Sequence, residues 1–340
     1  MTVSPNTALP WHERIRVWDH VLASVRARMR ELDFREVSTP VRVTAPAVEP
    51  FIAPIACAPG WLATSPELAM KRLLCRHRGS MFQIAHCFRH AEVGSLHAEE
   101  FHLLEWYRVD DTLETVVHDV EVVVDVVFDV VTRVLELPRP RVAWRTASFL
   151  SLLADTTGVQ LRGDEGAHEL VLVARHVFGD ELERAASSDA DAELGALRAW
   201  TALFSLWSDR VLGPRFAAEP WAGTHIVAFP AVLCALAQTG RAGDQRIACR
   251  FESHIGAVEL ANGYKELGDE EEQRRRFALA NRLRSSLGEE PLPIDEAFLS
   301  DLRQLGLPSC SGVALGLDRV VMLACARDRL EHVSPFLGTT

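Results

Sequence analysis

The chain has 340 residues, 48% of them hydrophobic, with 47 acidic against 36 basic side chains and a formal net charge of −11. That is ample apolar material for a sizeable core. The acidic balance argues against a long nucleic-acid partner, whose phosphates need a surplus of Lys and Arg on one face. The N-terminal MTVSPNTALPWHE lacks the basic-apolar-small order of a signal peptide, and no apolar run approaches the roughly 18 residues that cross a bilayer, so a cytoplasmic protein without a membrane partner is expected. Seven cysteines, at 57, 75, 87, 234, 249, 310 and 325, are odd in number, scattered and never in a CxxC pair, which fits reduced thiols.

In chain order, Trp11, Ile15, Trp18, Leu22, Val25, Met29 and Leu32 recur every three or four residues, one stripe of a long amphipathic helix. Phe34–Thr39 reads as a short strand closed by Pro40, which lacks the N–H of a central ladder. Ser65 before Pro66 reads as a helix N-cap, with Glu67 near the positive helix end. Phe82–Tyr107 reads as two strands joined near Gly94, followed by an Asp111/Glu114 capping box. The Val-rich run beyond it suggests strand by propensity. Glu121, Asp125, Asp129 and Arg133 recur every four residues, however, and the helical period decides. Pro138-Arg139-Pro140 and the polar Ala185–Glu193 stretch break the chain, and about 150–215 reads as mostly helical. His86/His90 and His97/His102 have spacings seen in zinc sites, but no Cys pair or HExxH frame completes a set.

The segment Ile255-Gly256-Ala257-Val258 reads as a hairpin turn with Gly first, suited to type II′. Continuing the ladder pairs His254 with Glu259 and Glu252 with Ala261, so Glu252 and Glu259 share a face. Two neighbouring carboxylates repel unless water, an arginine or a hard cation lies between them, and Mg²⁺ with nucleotide phosphates is the usual cation. A solvated acidic face fits the spacing equally. The glycine-rich run Ser311–Leu323 then delivers Arg319 to the start of a helix.

Phe88-Arg89 with Glu92, His97, Phe101 and LEWYR (Leu104–Arg108) resembles motif 2 of class II aminoacyl-tRNA synthetases, GVALGLDR (Gly312–Arg319) resembles motif 3, and the helix-strand-Pro40 unit resembles motif 1. With TSPELAMKRL (Thr64–Leu73) and ELANGYKEL (Glu259–Leu267), the chain is most similar to lysyl-tRNA synthetases, and among them to the truncated paralogues that attach a β-lysyl group to elongation factor P. The resemblance implies an α+β fold, an antiparallel sheet flanked by helices, in a single catalytic domain over 1–340 with a mostly helical insertion at about 150–215. The motif 1 helix begins within about a dozen residues, so no anticodon-binding domain and no anticodon recognition are expected. A two-fold homodimer is expected through the motif 1 helix and strand.

The implied activity is ATP-dependent activation of lysine or (R)-β-lysine as an adenylate and transfer to a lysine of elongation factor P. By that likeness ATP falls to Arg89, His97, Phe101, Glu252, Glu259 and Arg319, with Arg89 and Arg319 catalytic and Glu252 and Glu259 the Mg²⁺ ligands. The amino acid falls to Glu67, Glu105, Tyr107, Asn262, Glu266 and Ala314. Arg89 should hold the α-phosphate and the substrate carboxylate, Arg319 the γ-phosphate, and Phe101 should stack on adenine. The sequence departs from the family where Arg-x-Glu becomes Arg89-His90-Ala91: Glu92 comes one position late, and a strand would point it the other way. Further departures are Ser95-Leu96 and Val232-Leu233; Ala314 matches the elongation factor P ligases. Two other readings remain open at this level: a diamino-acid ligase with a small-molecule or carrier-protein acceptor, and a non-catalytic synthetase-like regulatory subunit.

Overall fold

The computed structural model describes residues 7–186 and 191–335. In chain order come α1 (Trp11–Glu31), β1 (Arg35–Glu36), β2 (Arg42–Val43), β3 (Trp61–Leu62), α2 (Glu67–His77), β4 (Met81–Phe88), β5 (Glu100–Val109) and α3 (Leu113–Leu135). The middle of the chain forms β6 (Ala143–Ser148), α4 (Phe149–Thr157), α5 (Ala167–Ala186), α6 (Ala192–Trp207), α7 (Gly213–Ala217), β7 (Ala222–Pro230), β8 (Thr239–Ala242), β9 (Gln245–Ile255), β10 (Val258–Lys265) and α8 (Glu270–Ser286). It ends with α9 (Glu296–Leu305), β11 (Cys310–Gly316) and α10 (Leu317–Ala324). The class is α+β, and the chain divides into two compact units.

The first unit comprises 1–141, 268–270 and 292–340. Its strands run β1, β4, β5, β11, with β1 parallel to β4 and the other neighbours antiparallel. Strand alternation sorts β5. Trp106 and Arg108 point to α3, where both bind the buried Asp119, Arg108 through two nitrogens at 2.5 and 2.8 Å. Phe101, Leu103, Glu105 and Tyr107 therefore line the opposite face. The valines of α3 are helical as their period demands: Val116, Val120, Val123, Val124, Val127 and Val131 are all buried, and burial of a whole face outweighs the weak strand propensity of valine.

The expected stripe of α1 is rotated. Val17, Trp18, Val21, Val25 and Met29 are buried, while Trp11 and Ile15 are 49% and 60% exposed, because the inner face also takes Arg14, which bonds Leu9 O and Ser334 O. The motif 1 strand shortens to Arg35–Glu36. The N-cap of α2 is Pro66 rather than Ser65, whose hydroxyl is buried without a hydrogen-bond partner. The cap of α3 is likewise Thr112, its hydroxyl accepting from Thr115 N at 3.3 Å. Asp111 accepts from Thr112 N and the Thr115 hydroxyl, so no Asp111/Glu114 box forms.

The second unit comprises 142–267 and 271–291. Its strands run β10, β9, β7, β6, with β8 also on β9, and only β6 and β7 are parallel. The segment expected to be helical folds as α4 to α7, which bury Phe149, Trp200, Leu203 and Trp207 with Ile226 and Phe229 of β7. Both indole N–H groups find acceptors, Trp200 on Glu165 O and Trp207 on the Thr156 hydroxyl, each at 3.0 Å. The break at Ala185–Glu193 lies mostly outside the described residues.

Candidate active site

Each unit gathers its own set of the sequence-assigned residues. In the first unit the Glu105 face is built by register: Ala314 of β11 lies opposite Glu105, and Gln83 of β4 lies on its other side. Glu105 is 2% exposed and accepts from the Tyr107 hydroxyl at 2.6 Å. Tyr107 packs with Met70 and Leu74 of α2, which turns the Glu67-bearing face of that helix toward β5. Glu67 accepts from Lys71 Nζ at 2.6 Å, and Lys71 is fully buried. This partner was missed as such in the sequence, although its signal is the i, i+4 spacing.

Nearer the end of β4, the Arg89 guanidinium lies 5.0 Å from the centre of the Phe101 ring. Ala314 packs against the same patch with Phe101, Ala85 and Cys87. The late glutamate is corrected by the backbone. The strand stops at Phe88, Ala91 adopts a left-handed φ of 59°, and its N–H is held by Glu99 at 2.8 Å. The chain thereby turns Glu92 back to Arg89, with 3.5 Å between the charged atoms, instead of pointing it away.

Arg319 lies in the first turn of α10. Its Nε donates to Leu96 O at 3.1 Å and a terminal nitrogen lies 2.9 Å from His97 Nε2, so it is tied to the loop between β4 and β5. Burial, reinforced by Arg319, pushes the His97 ring below the ordinary histidine range, so at neutral pH the ring is uncharged and Nε2 accepts. The preceding residue, Asp318, fixes β5 by accepting from His102 N at 2.5 Å.

In the second unit the turn forms as expected. Gly256 has φ 51°, Ala257 is not among the positive-φ residues, and a Cβ on Gly256 would meet Pro220 O at 2.9 Å. Val258 pairs with Ile255 and Glu259 with His254. The next pairing differs from the simple ladder: a bulge falls between Glu259 and Ala261, so Ala261 pairs with Ser253 and Asn262, not Ala261, faces Glu252. The extra residue re-phases β10, and Glu259, Asn262 and Tyr264 all come to the face of Glu252. Glu266 follows, 3% exposed, where the chain bridges to Ala237.

Glu252 does not stand among acids alone. Arg250 donates to it at 2.6 Å and His254 Nε2 is 3.5 Å away. Burial pushes the Glu252 carboxyl up, but Arg250 and His254 outweigh it and hold the group below the usual carboxylate range. Arg250 was missed in the sequence, and His254 was read only as the ladder partner of Glu259; the signal for both as partners of Glu252 was the 250, 252, 254 alternation on one strand. Two carboxylates on one face suit a hard cation that takes its remaining ligands from phosphates and water. Among the described residues no cluster of three or more His, Cys, Asp or Glu makes a cage of protein ligands by itself. No described helix is long and apolar enough to cross a membrane.

Comparison with known proteins places the chain in a family. The family of class II tRNA synthetases (D, K and N) matches residues 9–340. A protein named elongation factor P–(R)-β-lysine ligase from Pectobacterium atrosepticum is 34% identical over 334 residues, covering 93% of this chain and 92% of the relative. Proteins of the same name from Haemophilus influenzae and Sodalis glossinidius are 34% and 33% identical with the same coverage. Sequence motifs, fold and relatives converge, and the chain belongs to the class II tRNA synthetase family of the D, K and N type.

Proposed function

We propose that the chain activates (R)-β-lysine or lysine with ATP, forming an aminoacyl-adenylate, and transfers the acyl group to a lysine side chain of elongation factor P. The observation that carries this reading is the near full-length match to relatives of that name, with 92% of their length covered. In the first step a carboxylate oxygen of the amino acid attacks the α-phosphorus and pyrophosphate leaves. A carboxylate is already nucleophilic at neutral pH, so the protein mainly places it and neutralises charge growing on phosphate oxygens.

Arg89 serves the α-phosphate and carboxylate, Phe101 stacks on adenine, and Arg319, anchored by Leu96 O, meets the terminal phosphate. Mg²⁺ held by Glu252 and Glu259 would add positive charge beside the departing phosphates. Glu105 with Tyr107 takes the side-chain ammonium, Glu67 the other amine, and Asn262 and Glu266 complete the amino-acid site. In the second step a lysine nitrogen of the acceptor attacks the adenylate carbonyl, forming an amide and releasing AMP.

Exchange of labelled pyrophosphate into ATP isolates the first step. It should proceed with (R)-β-lysine or L-lysine and not with leucine, which has no second amine for Glu105. Absence of exchange with every diamino acid tried would remove the activity.

A further inference from the structure

Arg250 is a half-buried group that the roles above leave unused, and its contacts reach two of the residues they invoke. One terminal nitrogen donates to Glu252 Oε1 at 2.6 Å, Nε donates to Asn262 Oδ1 at 3.3 Å, and the other terminal nitrogen donates to Leu233 O at 3.1 Å. The guanidinium carbon lies 4.4 Å from the centre of the buried Phe229 ring. The fork is thus fixed on three edges and one face.

From these contacts we infer that Arg250 is a positioning residue, which sets the Glu252 carboxylate for the divalent cation and the Asn262 amide for the substrate carboxylate. The inference rests on the proposed activity for the identity of those two ligands. Its geometry is explicit. Because Arg250 occupies Oε1, the cation is left Oε2 of Glu252, the oxygen that lies 3.5 Å from His254 Nε2. Because Arg250 takes Oδ1 of Asn262 while Nδ2 donates to the Tyr264 hydroxyl at 3.1 Å, the amide is oriented with its N–H side away from Arg250. An N–H group is what an incoming carboxylate needs; the opposite amide orientation would present an oxygen and repel it.

The bulge supplies the reason one residue can do both. It brings Asn262 opposite Glu252, with Tyr264 opposite Arg250, so one side chain on β9 reaches across to β10. A lysine at 250 would keep the charge but not the planar fork, and its donors, all on one nitrogen, could not span Glu252, Asn262 and Leu233 O together.

The test is Arg250→Lys in the full chain, read first by Mn²⁺ binding with a non-hydrolysable ATP analogue, followed by electron paramagnetic resonance. Half-saturation should need about tenfold more Mn²⁺, in line with loss of a supporting contact to a metal ligand. In pyrophosphate exchange the KM for the amino acid should rise, while melting temperature stays within a few degrees. Phe229→Leu, which removes the ring under the guanidinium and leaves the polar partners intact, should shift Mn²⁺ binding in the same direction by a smaller factor. That variant carries the test if Arg250→Lys does not fold. Folded variants that bind Mn²⁺ as the parent does would overturn the inference, as would a parent chain that binds no Mn²⁺ with the analogue. A parent that binds Mn²⁺ with the analogue but exchanges with no diamino acid would instead sink the proposed substrate and leave Arg250 to be judged on the metal data.

Discussion

Replacing Arg319 by Ala should slow pyrophosphate exchange by about a thousandfold while the protein stays folded, the size expected when one fixed donor to a phosphoryl-transfer transition state is lost. The guanidinium is held before the nucleotide arrives: Nε is fixed on Leu96 O and a terminal nitrogen lies against the neutral His97 ring. Little reorganisation is therefore needed as charge develops. The loss should fall mainly on kcat, because the charge that Arg319 meets grows as pyrophosphate leaves. Arg319→Lys should recover only a small part, since an ammonium cannot hold Leu96 O and still present a second edge to phosphate. A loss under about tenfold for Arg319→Ala, in a protein of unchanged melting temperature, would mean that Arg319 acts only as a structural tie between α10 and the loop after β4.

The second large effect is expected at Glu105. Glu105→Gln should raise the KM for the diamino acid by about two to three orders of magnitude, because an ammonium ion would then be buried without its counter-ion. The KM for ATP should change little. Burial to 2% exposure is what makes the effect large, since the same pair in water would be worth at most about 1 kcal/mol. Tyr107→Phe should give a weaker version: the carboxylate loses the hydroxyl donor at 2.6 Å but keeps its charge. Steady-state exchange kinetics at saturating ATP separates these outcomes, and an unchanged amino-acid KM for Glu105→Gln would move the ammonium site elsewhere.

What was legible in the sequence follows from which forces act locally. The helical period of α3 and the Gly256 turn are short-range patterns, and both could be read before the fold was known. The strand order of motif 2 was legible for the same reason, since β4 and β5 are adjacent and joined by one loop. The bulge after Glu259 was not, because no glycine or proline marks it and Leu260 fits a regular strand equally well. The left-handed Ala91 was hidden too: alanine carries no signal for positive φ, and Glu99 stabilises that turn from eight residues away.

Each of these backbone irregularities orders the residue set of its own unit: one brings Asn262 opposite Glu252 and the other returns Glu92 to Arg89. Helix caps failed for a smaller reason. Ser65 and Asp111 are good capping residues, but each helix starts one residue later than their position requires. Arg250 was passed over because a charged residue in a strand reads as surface until its partners on the next strand are known.

The most direct measurement is the intact mass of elongation factor P after incubation with this protein, ATP, Mg²⁺ and (R)-β-lysine, with L-lysine in a parallel reaction. Elongation factor P should gain the mass of one lysyl group on a single lysine, ATP should be required, and the gain should be lost with the Arg319→Ala enzyme. Elongation factor P that stays unmodified with both amino acids, while the same enzyme supports pyrophosphate exchange, would contradict it and place the acyl group on another acceptor.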